Sequence, residues 1–280
     1  MAARPTRRAV LISGAATAGV AATAGVGVAT GLVHVPASVR LLLADTGPAG
    51  VVPDAPPGRV RLEQVASAAR ARTVGLWTAV PVGHGEGAAL PVCLVLHGAT
   101  ATTADFTRFG LARFLTAAVR AGVPPFVLAG ADGGPTGWLG DGRSDDPQRM
   151  LREELPRWCS ERGWDATRIA AYGWSLGGFG SLLMAERSPG LLRAVSALSP
   201  AVRTADRVIS GAAHLDGRRT AVWCGESDPL LPAVRALAAA VPGGPAVADY
   251  SPGGHTRDFW NRVTPAAYAF VGSALAQRAP

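Results

Sequence analysis

Ser175 lies in the run Gly173-Trp174-Ser175-Leu176-Gly177, a G-x-S-x-G pattern. A serine hydroxyl is a weak nucleophile and becomes useful only beside a general base, in a rigid and exposed position. The flanking glycines permit that position, because a sharp strand-to-helix turn needs small residues on either side of the serine. In such a turn the backbone N–H of Leu176 faces the oxygen of a reacting carbonyl, and the start of the next helix adds its positive end. With 35 glycines in 280 residues, chance alone yields such a pattern roughly 0.2 times. Placement therefore carries the weight. The motif follows the apolar run Ile169-Ala-Ala-Tyr172 and precedes the helix-like run Ser181-Leu-Leu-Met-Ala-Glu-Arg187.

A base and an acid must follow for the serine to act. The five histidines are His34, His84, His97, His214 and His255. His34 falls in an uncharged N-terminal stretch, His84 in a Gly-rich turn, His97 directly after a strand-like run and His214 in a polar excursion. His255, in Pro252-Gly-Gly-His-Thr-Arg257, follows the last predicted strand and is the candidate base. Asp228, in Cys224-Gly-Glu-Ser-Asp-Pro-Leu, sits at the carboxyl end of a predicted strand, the side where α/β folds gather their sites. It would orient His255 and stabilise the imidazolium. Asp228 also suits a helix N-cap, since Pro229 and a helical run follow, and Glu226 is an alternative acid. The second donor to an oxyanion is expected from Leu96-His97-Gly98-Ala99, with Gly98 letting the chain turn and Ala99 supplying the N–H. This chemistry is hydrolysis of a carboxylic ester through an acyl-enzyme. It needs an unprotonated His255, so the rate should fall in acid.

Elements that could position these groups are legible. Apolar runs of strand length fall at residues 60–66, 73–80, 91–96, 126–130, 169–173, 194–198, 220–225 and 246–250. Helical patterns fall at 106–120, 147–162, 176–187, 230–241 and 265–277. The alternation predicts an α/β domain with a mostly parallel eight-stranded sheet and helices on both faces. The short turn between the first two strands predicts an antiparallel hairpin at one edge. Residues 203–219 are few and polar, so any lid is small.

The N-terminus has the layout of an export signal. Arg4, Arg7 and Arg8 precede a stretch from Ala9 to Val33 without charge. The paired Arg7-Arg8 resembles a twin-arginine signal. Residues 1–37 are thus expected as a twin-arginine-like export signal or a membrane anchor, 38–58 as a linker and 59–280 as the catalytic domain. The protein would be exported, secreted or held at the cell envelope, touching membrane only through that segment. Net charge is +7, all 27 basic residues are arginine, and they are scattered, which argues against a nucleic-acid partner. Cys93, Cys159 and Cys224 fit no zinc spacing and are expected to pack as small hydrophobes, without disulfide, metal or cofactor.

These motifs resemble the α/β-hydrolase esterase family that includes S-formylglutathione hydrolases, feruloyl esterase domains and the antigen 85 mycolyltransferases. The resemblance covers roughly residues 90–275. It rests on Gly-Trp-Ser175-Leu-Gly-Gly-Phe-Gly, Gly98-Ala99, Asp132-Gly-Gly followed by Trp138, Asp228, and His255 with Trp260 five residues on. It implies the same fold and a triad of Ser175, Asp228 and His255 with backbone donors at Ala99 and Leu176. Trp138, Trp174 and Gly98 are candidate substrate contacts, though aromatics at such places more often pack than touch ligand, and Asp132-Gly133-Gly134 also reads as a turn with glycines at positive φ. Mycolyltransferases tend to carry a larger residue where this chain has Ala99, and no counterpart of a trehalose-binding loop follows Thr100. The substrate is therefore a small-molecule, lipid or sugar ester. Acyl transfer by the same triad, and a non-catalytic binding protein on the same fold, are the alternatives.

Overall fold

The computed structural model describes residues 47–134, 137–203 and 207–277. The expected export signal or anchor, residues 1–37, lies outside them. The first described strands form a hairpin of β1 (Arg59–Ser67) and β2 (Arg72–Val80), paired antiparallel from Arg59↔Val80 to Ser67↔Arg72. There follow β3 (Pro91–Leu96), α1 (Thr103–Arg108), α2 (Leu111–Arg120) and β4 (Val127–Ala131). A helical run then comprises α3 (Pro147–Arg149), a π turn (Met150–Glu154) and α4 (Leu155–Ser160). The second half alternates β5 (Asp165–Trp174), α5 (Leu176–Arg187), β6 (Leu192–Leu198), α6 (Arg207–Ser210), β7 (Arg219–Gly225), α7 (Leu231–Ala240), β8 (Val247–Ser251) and α8 (Arg257–Ala276).

The sheet order is β1-β2-β4-β3-β5-β6-β7-β8, so among the described residues β1 and β8 are its two edge strands. β2 runs antiparallel to β4, and the strands from β4 to β8 are parallel. β3 and β4 are buried at every residue, as near-continuous apolar strands must be when helices cover both faces. Alternation along the strands divides the interior. Leu94, Leu96, Val127 and Ala129 face one core with Leu182 and Leu183 of α5. Cys93, Val95, Leu128 and Tyr172 face the other with Leu115 of α2 and Tyr268 of α8. All three cysteines are buried and unbridged.

Three expectations are corrected. The single helix expected over 106–120 is two, because Gly110 takes a left-handed conformation (φ 72°) between α1 and α2. A Cβ there would also lie 2.4 Å from Val52 Cγ1. The last helix starts at Arg257 rather than at Pro265. Thr256 caps it by accepting the Phe259 N–H at 3.3 Å, and Pro265 sits inside it. Finally, the described part of the expected linker is laid against the domain. Ala55 is buried and its carbonyl accepts from Arg113 Nε at 3.0 Å, while Gly50 O accepts from Asn261 Nδ2 at 3.3 Å.

The π turn also has a local cause and a use. Pro156 has no N–H to donate back into the helix, and the Leu155 N–H reaches Met150 O instead. Glu154, at the end of this turn, is buried and accepts from Ala68 N (2.9 Å), Ala69 N (3.0 Å) and Ser67 Oγ (2.5 Å). It thereby satisfies the donors of the β1–β2 turn from across the core. Among the described residues no helix is long and apolar enough to cross a membrane.

Candidate active site

Ser175 occupies the junction of β5 and α5 with φ 54° and ψ −121°. A non-glycine residue in such a conformation costs on the order of 1–3 kcal/mol and persists only when its surroundings impose it. Here its N–H donates to Leu198 O at 2.8 Å, and its carbonyl accepts from Ala201 N at 2.9 Å and Phe179 N at 3.1 Å. The two motif glycines are required by close approach. A Cβ at Gly177 would lie 2.0 Å from Leu96 O, and one at Gly173 2.4 Å from Gly177 O. The motif therefore locks β5, α5 and the end of β3 together around the serine.

The structure brings Ser175, Asp228 and His255 together. Ser175 Oγ lies 2.9 Å from His255 Nε2, and His255 Nδ1 lies 2.9 Å from Asp228 Oδ2. His255 is delivered by the loop between β8 and α8, Asp228 by the loop after β7. Glu226, the alternative acid, points to solvent. The Asp228 side chain has no exposed surface, and its Oδ1 accepts the Leu230 N–H at 2.9 Å in the turn before α7, whose N-cap is Leu230 rather than Asp228. Burial pushes its carboxyl pKa up. The hydrogen bond and charge of His255, the Leu230 N–H and a smaller contribution from Ser199 outweigh this, and the net shift is downward. A carboxylate held ionised on Nδ1 keeps the proton of a neutral imidazole on that nitrogen. Nε2 is then free to accept from the serine hydroxyl.

Leu176 is the first residue of α5, where the N–H groups of the opening turn have no intrahelical acceptor. Gly98 lies against the serine: a Cβ on it would stand 3.3 Å from Ser175 Cβ and 2.9 Å from Trp174 Nε1. Ala99 follows it and is exposed.

The two tryptophans expected as substrate contacts are packing residues. Trp138 has no exposed surface, and its Nε1 donates to His97 O at 3.0 Å. Trp174 is 3% exposed and stacks among Phe106, Phe109 and Trp260. Gly98 is likewise buried. Gly98 packs against the serine turn, and Trp138 packs on His97 and the loop after β4.

Three residues outside the expected triad and oxyanion donors hold the loops in place. His97 Nδ1 donates to Gly98 O at 2.8 Å, while Nε2 accepts the Gly133 N–H at 2.9 Å. Asp132 accepts from Gly75 N (3.0 Å) and Thr103 N (2.8 Å), joining β2 to the start of α1. Arg70, fully buried, donates to the Asp132 carbonyl and pairs with Asp145. Gly134, as expected for a turn, has φ 72°. His97 beside Gly98 at a strand end was a usable signal. Nothing in the sequence marks Arg70 among 27 arginines. Among the described residues no group of three or more His, Cys, Asp or Glu side chains could hold a metal ion.

A family model named Esterase, with the description "Putative esterase", matches residues 67–274. The chain belongs to this esterase family. It is a hydrolase of the carboxylesterase type, on the α/β-hydrolase fold. The esterase is similar in structure to a ferulic acid esterase (TM-score 0.68, 19% identity, 77% of this chain and 98% of that one). It is similar also to an S-formylglutathione hydrolase from Agrobacterium tumefaciens (0.65, 18%, 79% and 96%) and to MPT51 of Mycobacterium tuberculosis (0.61, 17%, 78% and 99%). At these identities the likeness is one of fold. No curated protein matches the chain in sequence.

Proposed function

We propose that this esterase hydrolyses carboxylic esters through an acyl-enzyme on Ser175. One observation carries the reading: the unbroken relay Ser175 Oγ–His255 Nε2 and His255 Nδ1–Asp228 Oδ2, each step 2.9 Å. His255 takes the Ser175 proton as Oγ bonds to the ester carbonyl carbon. The N–H groups of Ala99 and Leu176 hold the oxyanion. The bond from that carbon to the alkoxy oxygen then breaks, and His255 passes its proton to the departing alcohol. Water next gives a proton to His255 and its oxygen to the acyl carbon. The Ser175–acyl bond breaks, and the proton returns to the serine.

A fluorophosphonate probe tests this. It should label Ser175 and abolish turnover of 4-nitrophenyl esters, and Ser175→Ala should be inert to both. A folded wild-type protein that neither labels nor turns over would instead be the non-catalytic binding protein. An acceptor alcohol in place of water would give transfer through the same intermediate, which product analysis with and without acceptor separates. We propose also that the segment bearing Arg7-Arg8 directs export by the twin-arginine route. Replacing both arginines with lysine should leave the protein inside the cell.

A further inference from the structure

Beside the proposed triad, two arginines share one aromatic ring. The Arg257 guanidinium lies 4.3 Å from the centre of the Phe109 ring, and that of Arg108 lies 5.3 Å from it. Phe109 packs on Trp174, the residue before Ser175, at 5.5 Å between ring centres. Trp260 joins Trp174 (6.3 Å) to the His255 ring (5.1 Å). Arg257 also follows His255 by two residues. Thr256 between them is extended (φ −130°, ψ 159°), which sends the two flanking side chains to the same side of the chain.

The ring attracts both cations, but the rest of the surroundings of Arg257 oppose its charge. Arg257 is the first residue of a 20-residue helix, where the positive end of the helix dipole opposes a cation. Burial and the charge of Arg108 push its pKa down, against smaller raising influences from Asp258 and Asp105. Arg108 is paired with Asp105 at 2.5 Å, but among the described residues Arg257 forms no ion pair, and its Nε is buried without a partner. Its orientation is nevertheless fixed. Nη2 donates to Arg108 O at 2.8 Å, with the ring beneath. A preorganised guanidinium with no ion pair of its own, beside a second guanidinium, can hold a carboxylate.

We propose that Arg257, with Arg108, is a subsite for a substrate carboxylate, so that the esterase prefers esters bearing a carboxylate a short chain away from the scissile carbonyl. The inference rests on the reading of Ser175 and His255 as the reacting pair.

The test compares 4-nitrophenyl hydrogen glutarate with its neutral carboxamide analogue on the full chain. For the wild type, kcat/KM for the anionic ester should exceed that for the neutral one by about tenfold at low salt. The ratio should shrink toward one as salt is raised to about 0.5 M, because Arg108 is exposed and Arg257 only half-buried. Arg257→Gln should lower the ratio to near one, and Arg257→Lys should keep part of it. A wild-type ratio at or below one overturns the proposal, as does a ratio that survives in Arg257→Gln. If that variant does not fold, the salt titration and Arg108→Gln decide in the same way. Turnover persisting in Ser175→Ala would instead defeat the reading of the catalytic serine. Turnover that needs Ser175 but ignores charge defeats the subsite alone.

Discussion

The Gly133 N–H donates to His97 Nε2 at 2.9 Å, tying the loop after β4 to the loop after β3. The same ring donates from Nδ1 to Gly98 O. Both nitrogens are thus used by the neutral imidazole, in one tautomer only. Replacing His97 by alanine would leave the buried Gly133 N–H unpaired, at a cost of about 1–3 kcal/mol. It would also loosen Gly98-Ala99. The expected result is a kcat lower by roughly 10–100-fold, short of the loss on removing an oxyanion donor outright. Steady-state kinetics and urea unfolding of His97→Ala measure the two effects.

A pH effect on stability follows from the same ring. Burial pushes the His97 pKa below its ordinary 6.5, against smaller raising influences from the Gly98 carbonyl, Asp132 and Asp105. As pH falls through 6.5, the unfolded chain binds the proton first. The native state therefore has its full stability above that value and loses it progressively toward the lower folded pKa. Melting temperatures between about pH 7 and pH 5 should fall more steeply for the wild type than for His97→Asn. Equal slopes would show that His97 does not titrate in this way.

Asp228→Asn should be folded and nearly inactive. An asparagine amide facing Nδ1 favours the tautomer with its proton on Nε2, where it meets the Ser175 hydroxyl and cannot accept from it. The expected fall in kcat is on the order of 10⁴-fold. Loss of fluorophosphonate labelling in a sample with an unchanged circular dichroism spectrum would bear this out.

Arg70 is a structural prediction. Its guanidinium is buried, paired with Asp145 and donated to the Asp132 carbonyl. Arg70→Met should cost about 3–5 kcal/mol, because it leaves the largely buried Asp145 carboxylate with only the exposed Arg72. Adding Asp145→Asn should recover part of that loss in a denaturant titration. Additive losses would mean that the pair is not coupled.

How far the sequence could be read depends on the range of the interactions. The nucleophile turn was legible because Gly173, Ser175 and Gly177 obey a local steric demand, and the strands β3 to β7 because burial on both faces leaves a continuous apolar run. Asp228 and His255 followed from their order along the chain and from the strand ends they occupy. The break at Gly110 was not legible, since it depends on Val52, far away in sequence. Nor was the start of α8, where Pro265 reads as a helix opening while Thr256 is the actual cap. Trp138 and Trp174 could be read either way for a related reason. An aromatic near a motif looks the same in sequence whether it faces a ligand or the back of the site. Arg70 and Glu154 act across more than 70 residues of chain, and no local pattern announces them.

The two edge strands of the described sheet bear on how the esterase behaves at high concentration. β1 carries Arg59, Arg61 and Glu63 along an exposed edge, and β8 is only five residues long, with Asp249 at its centre. A neighbouring molecule seeking to add a strand would have to bury charge at one edge and would find little backbone to pair with at the other. The eight-stranded sheet is thereby guarded against templated aggregation at both of its ends.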